Sequence, residues 1–95
     1  MNAKVYMQHP DPAKQGVNID QSKREVVQAA ILEVLHRHEK LTFEDLARQV
    51  EQKLARKFDG SIRWYVTTVK LDLEARHVIE RVKDKRREFV RLARA

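Results

Sequence analysis

The spacing of apolar residues changes near His77, and this change constrains the fold more than any other feature of the chain. Before it, apolar side chains recur every three or four residues, which is the period of an amphipathic helix. After it, two runs rich in β-branched and aromatic residues, 78–82 and 88–92, flank a polar stretch. That pattern predicts two strands of a hairpin.

Capping residues divide the helical part into three segments. The first helix is predicted to begin near Asp20 or Ser22, with Ser22 and Glu25 as a capping box. Thr42 and Ser61 are suitable N-caps for a second and a third helix. The first is predicted to end within residues 36–40, and the third near residue 76.

The N-terminal residues 1–19 are predicted to be an extended segment that packs on the body, residues 20–95. Within that segment, residues 4–8 are a candidate strand that could pair with the C-terminal hairpin, and residues 16–19 are interpreted as a loop. The hairpin tip, residues 83–87, lacks Asn-Gly or Gly-Gly, so we expect a loop longer than two residues there.

Three helices followed by a hairpin are the order of a winged helix-turn-helix. The predicted fold class is mainly α with a small β-hairpin (α+β), with a C-terminal wing and a short N-terminal strand. The alternative is a three-helix bundle whose C-terminal segment stays helical, which the β-branched and aromatic residues of that segment disfavour.

The chain as a whole has a net charge of +6, and its excess of basic residues is concentrated in the C-terminal third. Residues 1–59 hold ten Lys and Arg against nine Asp and Glu, whereas residues 60–95 hold ten against five. This asymmetry predicts a polyanion-binding surface. The alternative is that the charge serves only solubility.

In a winged helix the third helix enters the major groove of double-stranded DNA. The residues expected to contact DNA from this helix are Arg63, Thr67 and Lys70. Asp72 and Glu74 are interpreted as a solvated face that would repel phosphate. At the wing, four cations are expected to contact phosphate without sequence preference: Lys83, Lys85, Arg86 and Arg87.

Trp64 is the least expected residue of the third helix. It is interpreted either as closing the core against residues 16–19 or, with Leu71 and Ala75, as a dimer or partner contact. A protein-interaction or dimerisation module that binds no DNA is therefore the alternative to a DNA-binding module and possible transcription regulator.

Enzymatic chemistry is not expected. The chain has no cysteine and two glycines, which leaves no thiol nucleophile and no glycine-rich phosphate loop. No metal, cofactor or small-molecule substrate is predicted, because the histidines lack metal-ligand spacing. They are His9, His36, His38 and His77. Without an apolar run of membrane-spanning length, we expect a cytoplasmic protein.

Three segments, residues 12–20, 60–75 and 78–82, resemble a small bacterial family known only as a domain of unknown function. The resemblance extends over nearly the whole chain. It implies a winged-helix-like fold and brings no activity, cofactor or catalytic residue. His77 falls where such proteins often have a glycine that closes the helix.

Overall fold

Two antiparallel hairpins accompany three helices in the computed structural model, which describes residues 3–93. The predicted α+β class is confirmed. In chain order the elements are β1 (Lys4–Met7), β2 (Val17–Asp20), α1 (Gln21–His36), α2 (Phe43–Leu54), α3 (Ile62–Ala75), β3 (Ile79–Asp84) and β4 (Arg87–Leu92).

Side-chain caps begin all three helices. The predicted caps of α2 and α3 are confirmed, because Thr42 accepts the Asp45 N–H and Ser61 accepts the Trp64 N–H, each at 3.2 Å. The predicted capping box of α1 is wrong. Asp20 is the N-cap, and its carboxylate accepts the N–H of Ser22 at 2.9 Å. A carboxylate is favoured here by the positive end of the helix dipole.

The helix α3 ends in a Schellman motif without a glycine. The N–H of Val78 donates to the carbonyl of Leu73 at 2.9 Å, and that of His77 donates to Glu74 at 3.1 Å. His77 has a φ of 62°, the left-handed conformation that glycine adopts most readily. The chain turns here from α3 directly into β3.

The core lies where the three helices meet both hairpins, and it contains the apolar stripes predicted for the helices. Burial of each large aliphatic side chain contributes about 1.5–3 kcal/mol. The buried apolar residues are Met7, Ile19, Val27, Ala30, Ile31, Val34, Leu35, Leu46, Ala47, Val50, Leu54, Val66, Val69, Leu73, Ile79 and Val90.

The N-terminal hairpin differs from the prediction. Strand β1 pairs with β2 rather than with the C-terminal hairpin, with Met7 opposite Val17, so residues expected to form a loop form a strand. Gly16 permits this pairing, because a Cβ atom there would lie 1.8 Å from the carbonyl oxygen of Met7. A four-residue strand carries too weak an alternation to identify its partner.

The C-terminal hairpin, residues 79–92, is confirmed, but its turn is shorter than predicted. Asp84 pairs with Arg87, which leaves Lys85 and Arg86 as a two-residue turn. Their φ angles of 50° and 72° are those of a type I′ turn. Asn and Gly usually adopt this conformation. Because Lys and Arg occupy the turn instead, the two-residue turn was not predicted from the sequence.

Leu41, in the link between α1 and α2, holds the base of the C-terminal hairpin. Its N–H donates to the Val90 carbonyl at 3.0 Å and its carbonyl accepts the Val90 N–H at 2.7 Å. Leu41, rather than residues 4–8, therefore pairs with the C-terminal hairpin. Residues 4–8 lie instead against α3.

Candidate nucleic-acid interface

The tip of the C-terminal hairpin collects four exposed cations within five residues. They form no salt bridge with any acidic residue of the described range 3–93. The guanidinium of Arg87 lies 5.6 Å from the centre of the Phe89 ring, a cation–π contact that directs it along the strand. These cations are the four predicted from the sequence: Lys83, Lys85, Arg86 and Arg87.

The acidic residue at the tip is neutralised from outside the hairpin. Asp84 accepts a hydrogen bond from the ammonium of Lys40 at 2.6 Å. The same ammonium lies 4.6 Å from the centre of the Phe89 ring. Because Lys40 offsets Asp84, the field at the tip stays positive. Lys40 was not predicted to take part, because it is 44 residues from Asp84 and gives no local signal.

Towards the base of the hairpin the charges are paired. Arg91 donates to Glu80 at 2.6 Å, and Arg81 is bound to Glu74 and lies 3.7 Å from Glu88. The hydrogen bond to Glu74 raises the pKa of Arg81 above its ordinary value. Uncompensated positive charge on the hairpin is therefore concentrated at the tip.

Arg63, predicted to contact DNA, is bound to α2. Its guanidinium donates to Glu44 at 2.8 Å and to Glu51 at 2.6 Å. The hydrogen bond to Glu44 is the main cause of a raised pKa for Arg63, and it lowers the pKa of Glu44 in turn. Glu44 and Glu51 belong to α2, and nothing in the sequence indicates that they bind Arg63.

Lys70 lies inside the molecule, with 8% of its surface exposed. Its ammonium is 2.7 Å from a carboxylate oxygen of Glu74 and 5.4 Å from the centre of the Phe43 ring. Thr67 is exposed, and its hydroxyl donates to the Arg63 carbonyl at 3.0 Å. Of the three residues predicted to contact the groove, Arg63 and Lys70 are therefore held in ion pairs, and Thr67 is exposed.

Asp72 and Glu74 are not the solvated face predicted for them. Asp72 is fully buried and accepts the Gln8 N–H at 2.8 Å and the Nε–H of Arg76 at 2.9 Å. The side chain of Glu74 is 7% exposed, between Lys70 and Arg81. Residues two apart point to opposite flanks of a helix, and here a different hairpin covers each flank.

The outward face of α3 combines apolar side chains with uncharged threonines. Trp64 is 47% exposed and packs edge-to-face on Tyr65, with ring centres 5.0 Å apart. Leu71 and Ala75, the other predicted partner-contact residues, are partly buried. Leu71 lines a shallow groove with Thr68 and residues of the N-terminal hairpin. The structure thus places the predicted partner-contact residues on one face and leaves the indole exposed.

The four histidines are not grouped together. His36, His38 and His77 are exposed, whereas His9 lines the shallow groove beside Leu71, where its Nδ1 accepts the N–H of Asp11 at 3.0 Å. Within residues 3–93, no three His, Asp or Glu side chains are grouped as metal ligands. No helix in the same range combines the length and apolar character needed to cross a membrane.

Comparison with known proteins gives one match. Residues 4–89 match the model of a family that is described only as a family of unknown function (DUF6958). Neither a curated protein nor a solved structure matches the chain.

Proposed function

This chain belongs to the family of unknown function DUF6958, and we propose that it is a winged-helix protein that binds double-stranded DNA through phosphate contacts of its wing. The wing is the C-terminal hairpin. The observation that carries the proposal is the group of four exposed cations at the tip, none of them paired within the described residues. Phosphate contacts of this kind supply affinity that does not depend on sequence.

The arrangement of elements supports the winged-helix assignment. Three helices precede a hairpin whose β4 pairs with Leu41 between the first two helices. A hairpin held at its base and free at its tip suits a wing that reaches DNA beside the third helix. We further propose, from composition and family resemblance, a cytoplasmic location in a bacterium.

The turn geometry gives a second reason to assign binding to the tip. Lys85 and Arg86 both adopt the left-handed conformation, which costs non-glycine residues about 1–2 kcal/mol each. Asn-Gly at the same positions would form the turn with less strain. Strained backbone that carries exposed charge is characteristic of functional positions.

The experiment replaces the turn with a more favourable one that lacks charge. The double variant Lys85→Asn/Arg86→Gly removes two cations while keeping a type I′ turn, so the hairpin stays folded. We expect weaker binding to a random-sequence duplex and a plot of log affinity against log salt whose slope is shallower by up to about two units. Fluorescence anisotropy across a salt series measures both quantities.

A matched control removes the same charge elsewhere. Arg56 and Lys57 are exposed, adjacent and unpaired within the described residues, so Arg56→Gln/Lys57→Gln reproduces the change in net charge. We expect a smaller change in slope for this control. Equal slopes for wild type and the turn variant would refute the role of the wing.

A protein-interaction module without DNA binding is the second candidate, and the exposed indole of Trp64 favours it. Absence of duplex binding at low salt would leave this candidate in place of the first. A random single strand serves as the control for binding to any polyanion.

A further inference from the structure

We propose that α3 pairs with α3 of a second copy of this chain, in antiparallel orientation, about a two-fold axis between Thr67 and Thr68. In this pairing Trp64 of each copy covers the groove beside Leu71 of the other. The inference concerns a surface distinct from the wing and does not rest on the proposed DNA binding.

The outward stripe of α3 contains no ionisable side chain. It consists of Trp64, Thr67, Thr68 and Leu71, in a chain of which 36% of residues are charged. The charged neighbours on one flank, Arg63 among them, are turned aside into ion pairs with other elements. Two copies can therefore bring this stripe together without placing a desolvated charge between them.

A shallow groove lies on the same stripe, towards the C-terminal half of α3. It is a cavity of about 90 Å³, bounded by Thr68 and Leu71 on the helix and by the N-terminal hairpin. The hairpin contributes the apolar side chains of Met7 and Val17 together with Gly16 and the polar residues Gln8, His9 and Gln15. Val17 is 40% exposed, so apolar surface continues beyond the groove. A flat aromatic ring suits an open apolar groove of this kind.

Helix geometry places the indole and the groove symmetrically. Residues 64, 68 and 71 lie within about 60° of one another around the helix, and residues 64 and 71 are about 10 Å apart along it. A two-fold axis midway between them brings Trp64 of one copy opposite Leu71 of its partner, and the reverse. The small side chains Thr67 and Thr68 lie at the centre, where the helices approach most closely.

The electrostatics fit this orientation and also set the strength of the contact. Antiparallel pairing places the positive end of each helix dipole beside the negative end of the other. The net charge of +6 on each copy opposes association. About half of the surface of Trp64 is already covered within its own copy, so only the other half remains to be buried on association. We therefore expect a weak dimer that high salt strengthens by screening the repulsion.

Sedimentation velocity measures the association, from about 10 µM to about 1 mM protein at high salt. Wild type should pass from monomer to dimer over this range. Thr67→Glu places two carboxylates together at the axis and should remain monomeric, with the circular dichroism of wild type. Val26→Glu is the matched control, because Val26 is 44% exposed, lies on α1 and does not line the groove. It should dimerise as wild type does.

The single tryptophan reports which surface is covered. Its emission should shift to shorter wavelength as wild type dimerises and should not change with concentration in Thr67→Glu. A monomer at the highest concentration, a dimer that persists in Thr67→Glu, or dimerisation without an emission shift would each overturn the proposal. The wing variant Lys85→Asn/Arg86→Gly should dimerise normally, which separates this result from the test of DNA binding.

Discussion

Asp72 shows how one side chain fixes the position of an entire hairpin. It is fully buried on α3, yet it accepts the backbone N–H of Gln8, 64 residues away, at the end of β1. The Nε–H of Arg76, the C-cap residue that follows α3, donates to both carboxylate oxygens. A buried carboxylate is tolerated because these donors replace the water it loses. Asp72 therefore joins the start of the chain to its third helix.

Replacement of Asp72 by alanine should destabilise the protein by about 3 kcal/mol, because it leaves a buried N–H and Arg76 without their acceptor. Glu80→Ala is the control: Glu80 also forms an ion pair with an arginine, Arg91, but on the partly exposed hairpin. It should cost at most about 1 kcal/mol. Urea unfolding followed by circular dichroism measures both, and similar losses would contradict a structural role for Asp72.

At the scale of elements, the sequence predicts what depends on local interactions. The caps Thr42 and Ser61 and the existence of the C-terminal hairpin were predicted, because each depends on residues close together in the chain. The partner of β1 was not predicted, because a four-residue strand carries too weak an alternation to identify it. The pairing of Leu41 with Val90 was not predicted either, because backbone hydrogen bonds between distant segments leave no periodic signal. The same reason explains the candidate site. The exposed cations of the tip are visible in the sequence, whereas the acidic partners that hold Arg63 and Lys70 come from packing.

The end of α3 allows a test of one such local interaction, the left-handed conformation of His77. His77→Gly should stabilise the protein by about 1 kcal/mol, since glycine adopts a φ of 62° without the steric cost of a side chain. His77→Ala retains that cost and should bring no gain. Thermal unfolding compares the three proteins, and equal stability of the glycine and alanine variants would show that the left-handed conformation is not the source of the effect.

For the molecule as a whole, the distribution of charge determines the mode of binding that we propose. Some cations of the body are held in ion pairs between elements, as Arg63 joins α3 to α2 and Lys40 joins the α1–α2 link to the wing. The four cations of the tip form no such pair within the described residues, and they lie within five positions of one another. Under the proposed function the protein would therefore bind the phosphates of the DNA backbone, and these contacts do not distinguish one base sequence from another.

Affinity should accordingly vary by less than about threefold among duplexes of equal length and different sequence. A specific base contact would add about 1–3 kcal/mol of discrimination, and we expect none to be made. Competition between GC-rich and AT-rich duplexes measures this ratio. Arg63→Ala should leave the ratio unchanged. A strong preference that disappears in Arg63→Ala would instead assign base recognition to α3.

The close approach at Gly16 has a consequence for evolution within the family. Any other residue would place its Cβ atom against the Met7 carbonyl oxygen, so steric exclusion alone is sufficient to keep this position unchanged as sequences diverge. Invariance of Gly16 within the family would therefore be explained by the contact between two backbone segments and would not indicate a ligand-binding site. The turn residues Lys85 and Arg86 are the opposite case. Substitution by Asn-Gly would relieve backbone strain at these two positions. Positive charge would therefore be preserved there only by selection for binding.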